Sequence, residues 1–409
     1  MPSILARSPD DDKTIADVVD YGGESGMDDK NAAYNPEQFP GKYSGDVEAS
    51  ITEKNSTRRG LNECATKNPI DKCWRCKADW ADNREALTQC VIGFGAGTTG
   101  GAGGEVYTVT DPSDDTPESP KEGTLRYGAT QNKPVWIIFE KDMVITLKHA
   151  LPVTSDTTID GRGAKVEIAF GAGISVHTVK NVIIHGIHIH DTKESPGYAG
   201  KTGCDGDAVA VKTSSKIWVD HCTFSGGVDG LLDVTVGSTG VTLSNNKFSD
   251  HDKIMLLGAD DSHAEDKAML TTVAYNKFDQ GCVQRMPRCR HGFFQVVNND
   301  YNKWGLYAIG GSAAPTILSQ GNKFVAPDAA DKKNVLQRSD APESEWQNWN
   351  WRTDSNDVLE NGAVFTASGS DPQLSAEQQA GMIPVEPGSN VPQLTSCAGA
   401  LSCVVGQPC

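Results

Sequence analysis

Four times between residues 246 and 324 an apolar run ends in Asn, any residue, then an aromatic: Asn246-Lys247-Phe248, Asn276-Lys277-Phe278, Asn299-Asp300-Tyr301 and Asn322-Lys323-Phe324. Cys222-Thr223-Phe224 holds the same place after Ile217-Trp218-Val219. The aromatics are 24, 30, 23 and 23 residues apart. Few folds return the same pair of side chains at such an interval. A period in the low twenties with β-branched units is the mark of a stacked solenoid, in which each coil contacts only its neighbours. A β-sandwich would give strands at ordinary spacing, without the joint return of Asn and aromatic. The expected fold is therefore all-β, a right-handed parallel β-helix. The Asn side chains should bond to one another along one corner, and the aromatic two residues on should fill the core from the same strand face.

The texture around the repeat sets the organisation. Short β-branched runs separated by Gly and Asn begin at Gly93 and continue to about residue 325. Residues 71–90 read as a short amphipathic helix with Trp80, Leu87 and Cys90 on one side. Residues 1–62 are acidic and lack apolar periodicity, which predicts a disordered arm or pro-segment. The β-helix domain is placed at 63–375. An irregular extension with a Cys-rich end, 376–409, is expected to pack on it.

The net charge of −17 argues against nucleic acid as a partner, because phosphate binding needs clustered Lys and Arg. No stretch approaches the ~20 apolar residues of a membrane span. Eleven cysteines point to an oxidising compartment, with one left over. Cys64, Cys73, Cys76 and Cys90 crowd the start of the globular region, and Cys397, Cys403 and Cys409 crowd its end. Zinc binding by the first group fits the spacing less well than disulfides do. Asn55-Ser56-Thr57 is a glycosylation acceptor, consistent with secretion. No signal peptide is visible in this numbering, since only Ile4 and Leu5 precede the acidic Asp10–Asp12.

In a solenoid, residues one period apart lie above one another. Asp205-Gly206-Asp207 is followed, 22 residues after Asp207, by Asp229 and then Asp233. Each pair has same-face parity, so the carboxylates converge on adjacent coils. Asp-Gly pairs also make plain turns. Two such pairs in register favour a cation, and hard oxygen donors without Cys or His suit Ca²⁺. One period further comes His251-Asp252-Lys253, and beyond a loop comes Arg285-Met286-Pro287-Arg288-Cys289-Arg290. Acid, acid, base and base on four coils would line a groove for an extended polyanion.

These segments resemble the plant pectate lyases of the first polysaccharide lyase family, and within it the ragweed-type pollen allergen group. The resemblance rests on Asn68–Trp80, Gly123–Phe139, Thr158–Gly163, Ile217–Cys222, His251–Gly258, Gln284–His291 and Tyr307–Pro315. It implies a secreted, calcium-dependent, monomeric enzyme of the plant cell wall that cleaves polygalacturonate by β-elimination. It implies Asp207, Asp229 and Asp233 as calcium ligands, with Asp205 auxiliary. Arg285 matches the proposed base at C5 of the uronate, and Lys253 and Arg290 match side chains that hold substrate carboxylates. An Arg base must fall from a pKa above ~12. Nearby Ca²⁺, Lys253 and Arg290 would lower it and favour alkaline activity. Alternatively, Arg285 stabilises the enolate while solvent takes the proton. Where many relatives read GHSDS, this chain has Gly258-Ala259-Asp260-Asp261-Ser262.

Other readings compete. A polygalacturonase shares the architecture, but its Gly-His-Gly and Arg-Ile-Lys motifs are missing. A non-catalytic, calcium-stabilised pectin-binding wall protein is the alternative from another class; the filled catalytic positions argue against it. Gly95–Gly100 satisfies GxGxxG without the flanking strand and helix that dinucleotide binding needs. His185, His188 and His190 alternate along a strand-like run that the family uses as ordinary coil, which favours a structural role. Trp346, Trp349 and Trp351 suit either sugar stacking or packing of the C-terminal segment.

Overall fold

A computed structural model describes residues 66–197, 203–339 and 341–409. The acidic arm, Cys64 and the Asn55 acceptor lie outside the described residues. The chain winds as a right-handed parallel β-helix, the hand expected of parallel crossover connections. Three parallel sheets of ten, eight and nine strands form its faces. Each strand pairs with its counterpart one coil on: Ser215–Asp220 pairs with Thr239–Ser244, and that strand with Leu270–Ala274.

The predicted Asn ladder is present, and the aromatics that fill the core form a second ladder. The Nδ2 amide of Asn246 donates to Oδ1 of Asn276 at 3.1 Å, Asn276 to Asn299 at 3.0 Å, and Asn299 to Asn322 at 3.0 Å. All four side chains are fully buried. Two positions on, the rings of Phe224, Phe248, Phe278, Tyr301 and Phe324 stack with centroids 4.5–5.2 Å apart. Amides that would be costly to bury alone satisfy one another, and the rings add offset-stacking contacts to their burial.

The coils continue beyond residue 325, where the Asn–aromatic texture of the sequence ends, within the expected domain. A further coil carries Trp351–Thr353 and Val358–Glu360. Here Asp357 takes the place of the next Asn, accepting from the Asn322 amide at 2.6 Å, from Ser319 Oγ at 2.7 Å and from Thr353 Oγ1. Burial lifts its carboxyl to about 6, against the hydrogen bonds that oppose the shift. For an acid raised in the native state, stability is full below the unfolded pKa and falls as pH rises towards the folded value. The loss above pH 6 is about 3 kcal/mol by linkage. Asp357→Asn should therefore raise the melting temperature at pH 8 and leave it nearly unchanged at pH 4. Equal melting of variant and wild type at both values would place this ionisation elsewhere.

The N-terminal helix is shorter than the sequence predicts. Pro69–Trp74 is α-helical, and Arg84–Cys90 is a separate 3₁₀ segment. The Cys73–Cys90 disulfide ties the two pieces together, so the intervening chain turns instead of continuing the helix. Asn68 caps the helix through Oδ1, while its Nδ2 reaches Asn245 and the Leu394 carbonyl. Asp71 holds Arg75 at 2.9 Å and His221 Nε2 at 2.7 Å. His221 Nδ1 meets the Gly399 carbonyl at 3.2 Å, so one imidazole ties the helix and the C-terminal segment to the sheet. Asp220 receives Ser244 Oγ and Asn245 Nδ2 beside it. That explains the Trp218–His221 segment, for which the sequence alone offers no role.

Cysteine use is mixed. Cys403–Cys409 is a second disulfide and Cys76 is disulfide-bonded too, whereas Cys222, Cys282 and Cys289 are buried thiols inside the coils. Zinc at the first cysteine group is excluded by the Cys73–Cys90 bond. The Gly95–Gly104 stretch packs against the outside of a sheet: a Cβ on Gly101 would lie 1.8 Å from the Val135 carbonyl oxygen. Trp349 and Trp351 are buried, and Arg338 lies over the Trp346 and Trp351 rings, which favours packing over sugar stacking.

Candidate active site

The site forms at the corner that follows the nine-stranded sheet. Thr223–Ser225 leads through this corner into Leu232–Thr235, and the previous coil leads from His188–His190 into Val209–Lys212. Loops can leave the coil here without disturbing strand register.

Asp205, Asp207 and Asp229 converge, with carboxylate oxygens within 4.8 Å of one another. Asp207 is buried; Asp229 is half-buried and Asp205 exposed. Asp207, Asp229 and Asp233 are each braced from the next coil. The Gly230 amide donates to Asp207 Oδ1 at 2.8 Å, and the Leu256 amide donates to Asp233 Oδ1 at 3.0 Å. Lys253 Nζ lies 2.8 Å from Asp229 Oδ1. Burial, then the charges of Asp233, Asp205 and Asp229, push the Asp207 carboxyl well above the usual carboxylate range. Acids pressed together in this way call for a cation, and oxygen donors alone suit Ca²⁺. The residues fit the ion.

The backbone also bends at both Asp-Gly pairs, so the two sequence readings are compatible. Gly206 has φ +111°, and a Cβ on Gly230 would sit 2.6 Å from Asp233 Oδ1. A side chain at Gly230 would push an acid out of the cluster.

The basic wall follows on the next coils. His251–Lys253 pairs in parallel with Cys282–Gln284, placing Lys253 beside Gln284. Arg285 comes next, at φ +62° and 4% exposed, with its carbonyl accepting from the Met255 amide at 2.7 Å. Arg290 is 1% exposed and donates to Asp261 Oδ1 at 3.0 Å and to the Gly258 and Ala259 carbonyls. Ser312 Oγ also donates to Asp261. The Gly258–Ser262 loop thus wraps the guanidinium, a role that the departure from GHSDS did not disclose.

His251 was not singled out by sequence. The Gly227 amide donates to its Nδ1, so Nε2 carries the proton that reaches the Asp229 carbonyl. Burial lowers its pKa, in keeping with this neutral form. His251 therefore shapes the loop that presents Asp229. Its place between two acidic coils and Lys253 was the available signal.

A solenoid with acid and base on consecutive coils of one corner defines the class: a β-helical lyase. The family model described as pectate lyase matches residues 88–376. Pectate lyase 1 of Ambrosia artemisiifolia is 58% identical over 379 residues, covering 90% of this chain and 95% of that protein. Probable pectate lyase 22 of Arabidopsis thaliana is 50% identical over 375 residues, covering 89% and 87%. The crystal structure of Jun a 1, the major allergen from cedar pollen, superposes with a TM-score of 0.77 at 44% identity, covering 82% of this chain and all of that one. This chain belongs to the pectate lyase family.

Proposed function

We propose that this enzyme cleaves α-1,4-linked polygalacturonate by calcium-dependent β-elimination, releasing oligogalacturonates with an unsaturated end. The observation that carries this reading is the convergence of Asp205, Asp207 and Asp229, followed one coil on by Lys253 and the next by Arg285. Asp205, Asp207 and Asp229, with Asp233 beside Asp207, would hold the Ca²⁺. When bound, the ion neutralises the uronate carboxylate and acidifies the proton α to it.

The chain's own groups supply the rest. Lys253 reads a substrate carboxylate, which favours the unesterified polymer, while Arg290, the second substrate-binding residue expected from the sequence, is buried against Asp261 and backs the groove with positive charge. Arg285 receives the C5 proton or, with solvent as acceptor, stabilises the charge that builds on the carboxylate. The C5–H electron pair becomes the C4=C5 double bond, the C4–O bond breaks, and the departing sugar oxygen takes up a proton. Burial of Arg285 within the coil fixes its position, so little reorganisation accompanies the step.

The disulfides support an oxidising, extracellular location. Among the described residues no helix is long and apolar enough to cross a membrane. The test is ultraviolet absorbance of polygalacturonate at alkaline pH, first with calcium and then with chelator. A rise that needs calcium is expected, because only elimination creates the conjugated product. New reducing ends without absorbance would indicate hydrolysis and overturn the proposal.

A further inference from the structure

The eight-stranded face carries two outward lines of side chains, because alternate residues of each strand point out and successive coils stack in register. One line runs through Ala210, Asp233, Leu256 and Arg288. The other runs through His177, Lys212, Thr235, Gly258, Arg290 and Ser312. The second line sets a cation on either side of Thr235: Arg290 two coils after it, and Lys212 one coil before.

The two cations differ in access. The Gly258–Ser262 loop wraps Arg290, and the 3₁₀ turn that follows, Ala264–Ala268, brings Glu265 against Gly237. This loop walls the coils from Thr235 onward. Lys212 stands on the coil before the wall and is half-buried, while His177, one coil earlier still, is exposed. Val209 and Val211, fully buried on the other side of the strand, fix the backbone from which Lys212 projects.

Lys212 also leans towards the acids. Five residues of extended strand separate it from Asp207, roughly 16 Å of backbone. Burial and the three neighbouring acids raise the Asp207 carboxyl, and the charge of Lys212 acts against that rise. An ammonium felt at Asp207 lies back along the strand, over Ala210 on the floor of the groove. From the coil of Arg285 it is three coils away, about 14 Å along the stack. That is too far for the sugar undergoing elimination and within reach of another sugar of the same polymer.

Building on the polygalacturonate reading above, we propose that Lys212 is a substrate-binding residue that takes the carboxylate of a uronate lying beyond the acid cluster. His177, beside it in register, lines the same stretch, so the groove extends towards the N-terminal end of the stack. A lysine suits this place because its compact charge on a flexible stem can follow a carboxylate that is not rigidly held. A cation here also offsets, locally, the net charge of −17 that would repel a polyanion.

Affinity electrophoresis in gels holding polygalacturonate, with calcium in excess, reads binding without turnover. Lys212→Met keeps the stem and removes the charge; it is expected to weaken retention about three- to tenfold, and Lys212→Arg to restore most of it. Initial rates by ultraviolet absorbance give the second readout. KM for the polymer should rise by the same factor while kcat stays near wild type, as for an interaction made equally in ground and transition states. Trigalacturonate, whose rings do not reach Lys212 from a bond held at Arg285, should show the same kinetics in variant and wild type. Retention and polymer KM unchanged in Lys212→Met would overturn the proposal. A KM that rises equally for polymer and trimer would overturn it too, because Lys212 would then serve the acid cluster alone. If the wild type binds the polymer but eliminates nothing, the reaction assigned above fails, and the retention of Lys212→Met still decides this site.

Discussion

Replacing Arg285 with alanine is expected to lower turnover of polygalacturonate by about 10²–10⁴, the usual worth of a positioned acid–base group. Calcium affinity and melting temperature should stay close to wild type. The side chain is buried, yet the backbone bonds around it belong to the coil: the Ile254 and Met255 amides donate to the Gln284 and Arg285 carbonyls whatever the side chain. Arginine already occupies the left-handed region there, so alanine adds no new backbone strain. Initial rates by ultraviolet absorbance, calcium calorimetry and a thermal melt on the same preparation separate the outcomes. Turnover that survives in a folded, calcium-loaded variant would remove Arg285 from the chemistry. A variant that loses calcium as well would show that the basic wall helps to build the acid cluster.

Asn276→Ala should cost more stability than an ordinary buried polar substitution, on the order of 3–5 kcal/mol. The Asn276 side chain accepts from the Asn246 amide at 2.9 Å and from Asn246 Nδ2 at 3.1 Å. It also donates to the Leu243 carbonyl at 2.9 Å and to Asn299 Oδ1 at 3.0 Å. Its loss leaves the Asn246 amide and the Leu243 carbonyl without these partners in a dry corner, each at roughly 1–3 kcal/mol. Denaturant unfolding with an unchanged slope would report the loss cleanly. A cost below about 1 kcal/mol would mean that water replaces the rung, and that the ladder is a consequence of the coil and not one of its supports.

The solenoid was legible because its two interior ladders are written by residue type. Asn and an aromatic recur where each coil must satisfy one corner and fill one face. The repeat could be followed only to Phe324 because in the next coil Asp357 and Leu359 keep those positions with different residues. The acid cluster was legible through parity and period, and three of its four members meet as the spacing required. What escaped was whatever depends on contacts distant in sequence. Asp71 with His221 spans 150 residues, and Arg290 with Asp261 depends on a loop that belongs to no repeat. The helix over 71–90 was misread because apolar spacing does not reveal that a disulfide folds the segment back on itself. The cysteine count overstated the disulfides for a similar reason: a thiol serves equally well as a small core residue.

Strand pairing sets the distance between successive coils at ~4.8 Å, and backbone hydrogen bonds hold it there. Asp207, Asp229, Lys253 and Arg285 sit on four consecutive coils, so about 14 Å of stack axis separates the first from the last. The coil is a ruler whose divisions no side-chain change can alter. Selection can exchange what stands at each mark, or lengthen the loops at the corners, as the 30-residue interval between Asn246 and Asn276 shows at the corner that follows the eight-stranded sheet. To shift the acid end relative to the basic end, it would have to add or remove a whole coil.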